Sequence, residues 1–140
     1  PPERAPDPVE TLFAGALLRR PTLFHKDEQR VRDELAHPGL RALIHHLSTG
    51  RSPEDALFEA SPVLKKALER AARELPSSES DLEPFFQAAC RKLKMRRIDE
   101  RLAYIARETG RLTGAADLTE ETRQLIEERI ELLEMKRNLL

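Results

Sequence analysis

The four histidines and the single cysteine are the residue types that most often build metal or nucleophile sites. His25, His37, His45 and His46 show no zinc-ligand spacing with cysteine or acidic partners, and the last two, being adjacent, would point about 100° apart on a helix. Cys90 lies inside an apolar-periodic segment, where a lone cysteine behaves as a small buried hydrophobe. These residues predict no metal site, no cofactor and no cysteine nucleophile.

Acidic pairs and glycine patterns suggest no catalytic machinery either. Asp99-Glu100 and Glu127-Glu128 fall among arginines on predicted helices, which is typical of solvated helix faces. The chain has no glycine-rich phosphate loop and no Gly-x-Ser-x-Gly elbow. We therefore predict that this part of the protein has no catalytic residues.

The densest group of lysines and arginines lies along a single predicted helix. No aromatic residues are interleaved with it to stack on bases, and the 24 basic and 25 acidic residues of the chain give a net charge of -1. We expect a solvated or partner-facing helix with weak or absent DNA contact; a helical DNA-binding domain is the alternative. The basic residues are Arg91, Lys92, Lys94, Arg96, Arg97 and Arg101.

The composition of the chain indicates that it folds into helices. Charged residues make up 35% of the chain and aromatics 4%, with no Trp, so the core must come from aliphatic side chains on amphipathic helices. This predicts an all-α fold. No apolar run approaches the roughly 20 residues that span a bilayer, so we expect a soluble, cytoplasmic protein. The start at Pro1 rather than Met indicates a piece of a larger protein.

Proline and capping residues divide the first part of the chain into short helices. Asp7 before Pro8, with Glu10 at capping-box spacing, predicts a helix from Pro8 to Arg19. A proline also follows His37, Ser52 and Ser61, and each of these pairs predicts the start of another short helix. From Lys26 to Leu35 the helical pattern is weaker. Helices this short need mutual packing, so residues 8–95 should form a compact bundle behind a linker at residues 1–7.

The second part of the chain predicts one long helix and a closing hairpin, residues 96–140. The long helix should run from Asp81 to about Thr109 with Pro84 in its first turn. Gly110 and Gly114 should make the turn, and Asp117 or Thr119 should cap the last helix.

The last helix carries a wide apolar stripe at coiled-coil spacing. Leu125, Leu132 and Leu139 form one line, and Ile126, Leu133 and Leu140 form the adjacent line, joined by Ile130. The long helix offers this stripe mainly Ile98, Leu102 and Ile105. Part of the stripe should therefore stay exposed, as binding surfaces often do.

Three short segments follow one another along the chain in a characteristic order. They are GALLRRPTLF at 15–24, LTEET at 118–122 and ELLEMK at 131–136, separated by the short helices and the long one. In this order they resemble the C-terminal domain of bacterial DNA primase. The resemblance implies a bundle subdomain similar in fold to the N-terminal domain of the replicative helicase, followed by a hairpin that docks on the helicase hexamer.

The resemblance also implies which residues bind. The docking element would be about Ile98 to Leu140, part of a monomer that recruits primase to the fork and modulates helicase activity and primer synthesis. Its apolar anchors and basic rim would be Leu125, Ile126, Arg129, Ile130, Leu133, Lys136, Arg137 and Leu140. For the apolar ones, hairpin core is the competing interpretation.

Some members of that family also bind the acidic tail of single-stranded-DNA-binding protein in a basic pocket on the bundle. Lys65, Lys66 and Arg70 fall at a matching place, whereas Asp7 and Glu10 stand where basic residues would complete the pocket. A further alternative to the primase is a helicase-loader or helicase N-terminal module, because the bundle fold is shared. The thin apolar pattern at Lys94 to Arg97 predicts a hinge.

Overall fold

The computed structural model describes residues 3–23, 35–112 and 119–140 of the chain. These residues form six α-helices and one short 3-10 helix and include no strand, which confirms the all-α prediction. The predicted weaker segment from Lys26 lies outside the described residues, except at its end, Leu35. The helices are α1 (Pro8–Arg19), α2 (Pro38–Ser48), α3 (Pro53–Phe58), α4 (Pro62–Glu74), α5 (Glu79–Leu112) and α6 (Glu120–Leu139), with the 3-10 helix Pro21–Leu23 after α1.

Each of the first four helices begins with a proline that follows a capping side chain. Asp7 caps α1, Ser52 caps α3 and Ser61 caps α4, each through a side-chain oxygen that accepts backbone N–H donors. Proline at this position costs no hydrogen bond, because an N–H group there would have no partner inside the helix. The four predicted helix starts are confirmed.

Two buried polar side chains hold the start of α2. The Glu10 carboxylate is 1% exposed and accepts the N–H of Ala36 at 2.8 Å and of His37 at 3.3 Å. His37 Nδ1 accepts the N–H of Gly39 at 3.1 Å, and its Nε2 lies 3.0 Å from the Arg4 carbonyl oxygen. This geometry assigns Nδ1 as the acceptor and Nε2 as the donor, so His37 caps the helix through its ring.

The core of the bundle is built around α1. This helix packs on α2 and α4, and Phe13 stacks on Phe86 of α5 with a distance of 5.1 Å between ring centroids. Both rings are fully buried, and leucines from each of these helices belong to the same hydrophobic core. Cys90 is also buried in this core, as its apolar setting predicts. Short helices are thus stabilised by shared burial of their apolar faces.

The long helix is longer at both ends than predicted. It begins at Glu79, two residues before Asp81, so Pro84 lies in the second turn rather than in the first. Its missing N–H leaves the Ser80 carbonyl without a helical donor. Ser80 is exposed, where water can serve as the donor instead. The earlier start also places Glu79 and Asp81 in the first turn, where the helix dipole favours anions.

Gly110 does not make the turn that the sequence predicts, because α5 continues through it to Leu112. One glycine costs only about 1 kcal/mol relative to alanine inside a helix. Leu112 is half-buried and lies seven residues after the buried Ile105, so the apolar face extends past the glycine. Thr119 caps α6 as predicted, whereas Gly114 and Asp117 lie outside the described residues.

The chain divides into two compact units, Pro1–Leu93 (unit 1) and Lys94–Leu140 (unit 2). The boundary lies inside α5, so unit 1 contains α1–α4 with the first part of that helix. Unit 2 contains the rest of α5 together with α6. Among the described residues, no helix is long and apolar enough to cross a membrane.

Candidate protein-binding surface

One side of α6 is buried within unit 2. Among the described residues of unit 2 the buried positions are few, and all of them lie on the facing sides of α5 and α6. They are Thr122 and Leu125 of α6 with Ile98 and Ile105 of α5, and Leu102, Leu132 and Leu139 are half-buried. This small core is consistent with the limited apolar face that the long helix offers to α6.

Two ion pairs set the register between the two helices of unit 2. Arg101 donates to both carboxylate oxygens of Glu128, from Nε at 2.6 Å and from a terminal nitrogen at 2.9 Å. Lys136 Nζ donates to Asp99 at 2.7 Å. Because the later residue of α5 pairs with the earlier residue of α6, the helices run antiparallel. Asp99 and Glu128, predicted to be merely solvated, thus join the two helices.

The bidentate contact shifts the titration of both its partners. The hydrogen bond from Arg101 holds the pKa of Glu128 below the ordinary value of 4.5, although partial burial opposes this. The same hydrogen bond raises the pKa of Arg101. Both side chains are more than a third exposed, at 40% and 34%, so solvent screens the interaction and its stabilisation is about 1 kcal/mol or less.

A second side of α6 carries apolar side chains that stay partly exposed among the described residues. Ile126, Ile130 and Leu133 are 42%, 60% and 42% exposed, and Arg137 continues the line at the same helical spacing. We call these four residues the outer stripe. Large aliphatic side chains this exposed and this regularly spaced are typical of a surface that packs against another helix.

The structure separates the predicted docking residues into two groups. Leu125 is only 8% exposed and belongs to the buried side of α6, while Lys136 is engaged with Asp99. The other six are exposed and are Ile126, Arg129, Ile130, Leu133, Arg137 and the terminal Leu140, which is 89% exposed. The exposed members, rather than all eight, are therefore available to a partner.

The predicted basic pocket residues lie on α4. Lys66 and Arg70 are exposed and one turn apart, whereas Lys65 is half-buried with its Nζ 5.9 Å from the centre of the Phe58 ring. That ring is 82% exposed, a feature that the sequence did not predict. Asp7 and Glu10 have structural roles, in capping α1 and in holding the start of α2.

The basic stretch of α5 does not form a single basic face. Arg91, Lys92 and Arg97 are exposed, but successive positions turn by about 100°, which spreads the stretch around the helix. Arg101 is paired with Glu128, and Arg96 lies 4.0 Å from Glu100. The positive charge of this stretch is therefore spread around α5 rather than gathered along one face of the helix.

The described histidines make local contacts. His46 lies 3.1 Å from Glu59, which also pairs with Arg51, and His45 is exposed beside it. Within residues 3–23, 35–112 and 119–140 no cluster of three or more histidines, cysteines or acids could hold a metal ion. His25 lies outside these residues.

An apolar groove in unit 1 was not predicted from the sequence. It lies between α1, α3 and α4, has a volume of about 480 Å³, and is lined chiefly by Leu18, Leu57, Leu68 and Leu75. Its rim carries both signs of charge, with Lys65 and Glu69 among the lining residues. Residues from three separate helices form it, so no single segment of sequence could reveal it.

Fold and surface define an all-α protein with an exposed, coiled-coil-like helix face. The chain is 49% identical over all 140 residues to a DNA primase from Myxococcus xanthus. This confirms the resemblance to bacterial DNA primase. The chain spans 23% of the length of that primase. No protein-family model and no solved structure matches the chain. The protein is thus primase-related.

Proposed function

We propose that this chain is the non-catalytic, C-terminal helicase-binding domain of a DNA primase. Its hairpin, residues 96–140, docks on the N-terminal domains of the hexameric replicative helicase, recruits primase to the fork and modulates helicase activity and primer synthesis. The observation that supports this most is the exposed outer stripe of α6 in a primase-related chain. The parent protein is then a DNA-directed RNA polymerase.

Co-elution with the helicase tests this proposal. The chain should migrate with the helicase hexamer of its own organism on a sizing column, and residues 1–93 alone, checked for helicity by circular dichroism, should not. Elution of the intact chain as a separate peak at every ratio would exclude the proposal.

A helical DNA-binding domain is the main alternative, and salt dependence separates it from helicase docking. Binding through the basic stretch of α5 would weaken steeply as salt rises, because each phosphate contact releases counterions. We expect no anisotropy change with a labelled DNA duplex even at low salt. Tight, salt-sensitive binding would instead favour the alternative.

A helicase loader or helicase N-terminal module is a second alternative, and the parent gene decides it. A primase gene would encode a zinc-binding module and an acidic, metal-binding polymerase core upstream of Pro1. The primase relative supports this outcome. An upstream ATPase domain would support the alternative.

The basic residues of α4 support a subsidiary proposal, that Lys65, Lys66 and Arg70 receive the acidic tail of single-stranded-DNA-binding protein. Lys66 and Arg70 are exposed on adjacent turns. Lys66→Glu should weaken binding of a synthetic acidic tail peptide, whereas Lys92→Glu on α5 should not. Equal binding by both variants would exclude this site.

A further inference from the structure

The outer stripe has the spacing of one half of a coiled-coil seam. Ile126 and Leu133 fall at d positions and Ile130 and Arg137 at a positions, since the intervals are four, three and four residues. All four side chains are exposed in unit 2. A seam of this kind is completed by a second helix.

The edges of the stripe carry opposite charges. Arg129 and Lys136 fall at g positions on one edge, and Glu127 and Glu134 fall at e positions on the other. The charged group of Lys136 is already paired with Asp99. No ion pair of the described residues involves the other three or Arg137.

These charges oppose pairing with a second copy of the chain in either direction. In an antiparallel pair, e positions face e positions and g positions face g positions, so Glu127 would meet Glu134 of the other copy. In a parallel pair, the edges would attract, but the two Arg137 side chains would meet at the seam. Two like charges brought together in a desolvated seam cost several kcal/mol.

We infer that the outer stripe receives one amphipathic helix of a different protein, which presents apolar residues to the stripe and an acidic side chain to Arg137. An opposite charge at this place satisfies an arginine that the binding event removes from water. The inference rests on the proposed docking on helicase and names the chemistry of the helicase segment that docks.

Two matched substitutions on the intact chain test which face binds. Ile130→Glu places an acid on the stripe, and Met135→Glu places one on another side of α6, where Met135 is 53% exposed. Ile130→Glu should weaken helicase binding by about tenfold to a hundredfold, as loss of an anchor does, and Met135→Glu by about twofold or less. Circular dichroism should show unchanged helicity in both.

A second pair of substitutions tests the role of the Arg137 charge. Arg137→Glu should weaken helicase binding by about tenfold or more, because it sets an acid against an acid. Arg137→Leu should weaken it less and should also make the chain dimerise, since the seam then becomes fully apolar with complementary edges. Sedimentation equilibrium should detect this dimer at concentrations where the original chain is monomeric.

The outcomes separate the inference from the proposed function. If the original chain does not bind helicase, both fail. If it binds and Ile130→Glu or Arg137→Glu binds equally well, only the inference fails. A dimer of the original chain that Ile130→Glu abolishes would overturn the inference in favour of a second copy of the chain. The absence of any dimer of Arg137→Leu would contradict the placement of Arg137 at the seam, and the inference would fail with it.

Discussion

Single polar residues in this protein hold backbone segments that are far apart in sequence. Glu10 illustrates this, because its buried carboxylate accepts two N–H groups at the start of α2, some 26 and 27 residues away. The sequence predicted Glu10 only as part of a local capping box and as an obstacle in a basic pocket. A long-range role could not be predicted, since nothing near Glu10 in sequence indicates which amides it will meet.

Removing this carboxylate should destabilise unit 1. Glu10→Ala leaves the buried N–H of His37 without its acceptor, and we expect a loss of about 1–3 kcal/mol in the free energy of unfolding. Urea titration followed by circular dichroism measures it. Glu69→Ala, at an exposed glutamate of α4, should change stability by about 0.5 kcal/mol or less. Similar losses in both variants would contradict the structural role of Glu10.

The Arg101–Glu128 pair should make stability depend on pH in the acidic range. The folded-state pKa of Glu128 lies below its ordinary value of 4.5, so the contribution is fully present above that value. It is lost as pH falls through the folded-state pKa. Glu128→Gln should lower stability at pH 7 by about 1 kcal/mol or less and should remove this part of the acid dependence.

The matched control for this prediction is Glu127→Gln, which changes the neighbouring exposed acid. Thermal unfolding at pH 7 and at about pH 3, below the ordinary carboxyl range, compares the two variants. The loss at pH 7 should be confined to Glu128→Gln. If both variants follow the original chain at each pH, the pair contributes nothing measurable.

At the scale of elements, local signals predicted helix starts better than helix ends. Proline and a capping side chain act within one turn, which is why four starts were predicted correctly. The end of α5 was predicted three residues too early, because Gly110 and Gly114 together suggested a turn. Whether a glycine ends a helix depends on the packing of the residues beyond it, here Leu112.

Substitution by alanine should change the stability of the protein in opposite directions at two glycines. Gly50 follows α2 with a φ of 91°, so alanine there should cost about 1–2 kcal/mol of stability although no atom obstructs its Cβ. Gly110 lies in α5, again with open space around the added carbon, and Gly110→Ala should stabilise by about 0.5–1 kcal/mol. Thermal unfolding of both variants measures this, and a shift of the same sign would contradict it.

At the scale of the whole molecule, the two units differ in how much they bury. Unit 1 has a core drawn from α1, α2, α4 and the first part of α5. The described residues of unit 2 bury only two side chains on α5, Ile98 and Ile105, and two on α6, Thr122 and Leu125. Exposure of the opposite part of α6 costs stability. A partner helix would recover that stability on binding, which is how an incomplete seam is suited to docking.

Hydrogen exchange should reveal a hinge at Lys94–Arg97. None of these four residues is buried, and the boundary between the units falls immediately before them. Their amides should exchange faster than those on either side in α5, because few apolar contacts protect them. Mass spectrometry of the intact chain measures this, and uniform protection along the helix would contradict it.

The sequence by itself determined the all-α class, the four proline-led helix starts and the resemblance to DNA primase. These depend on short-range chemistry and on the order of segments along the chain. Tertiary structure alone decided which side of α6 is buried, that Lys136 pairs with Asp99, that Glu10 holds α2, and that three helices enclose a groove. These depend on which distant residues meet, and packing selects among several faces that one periodic apolar pattern permits.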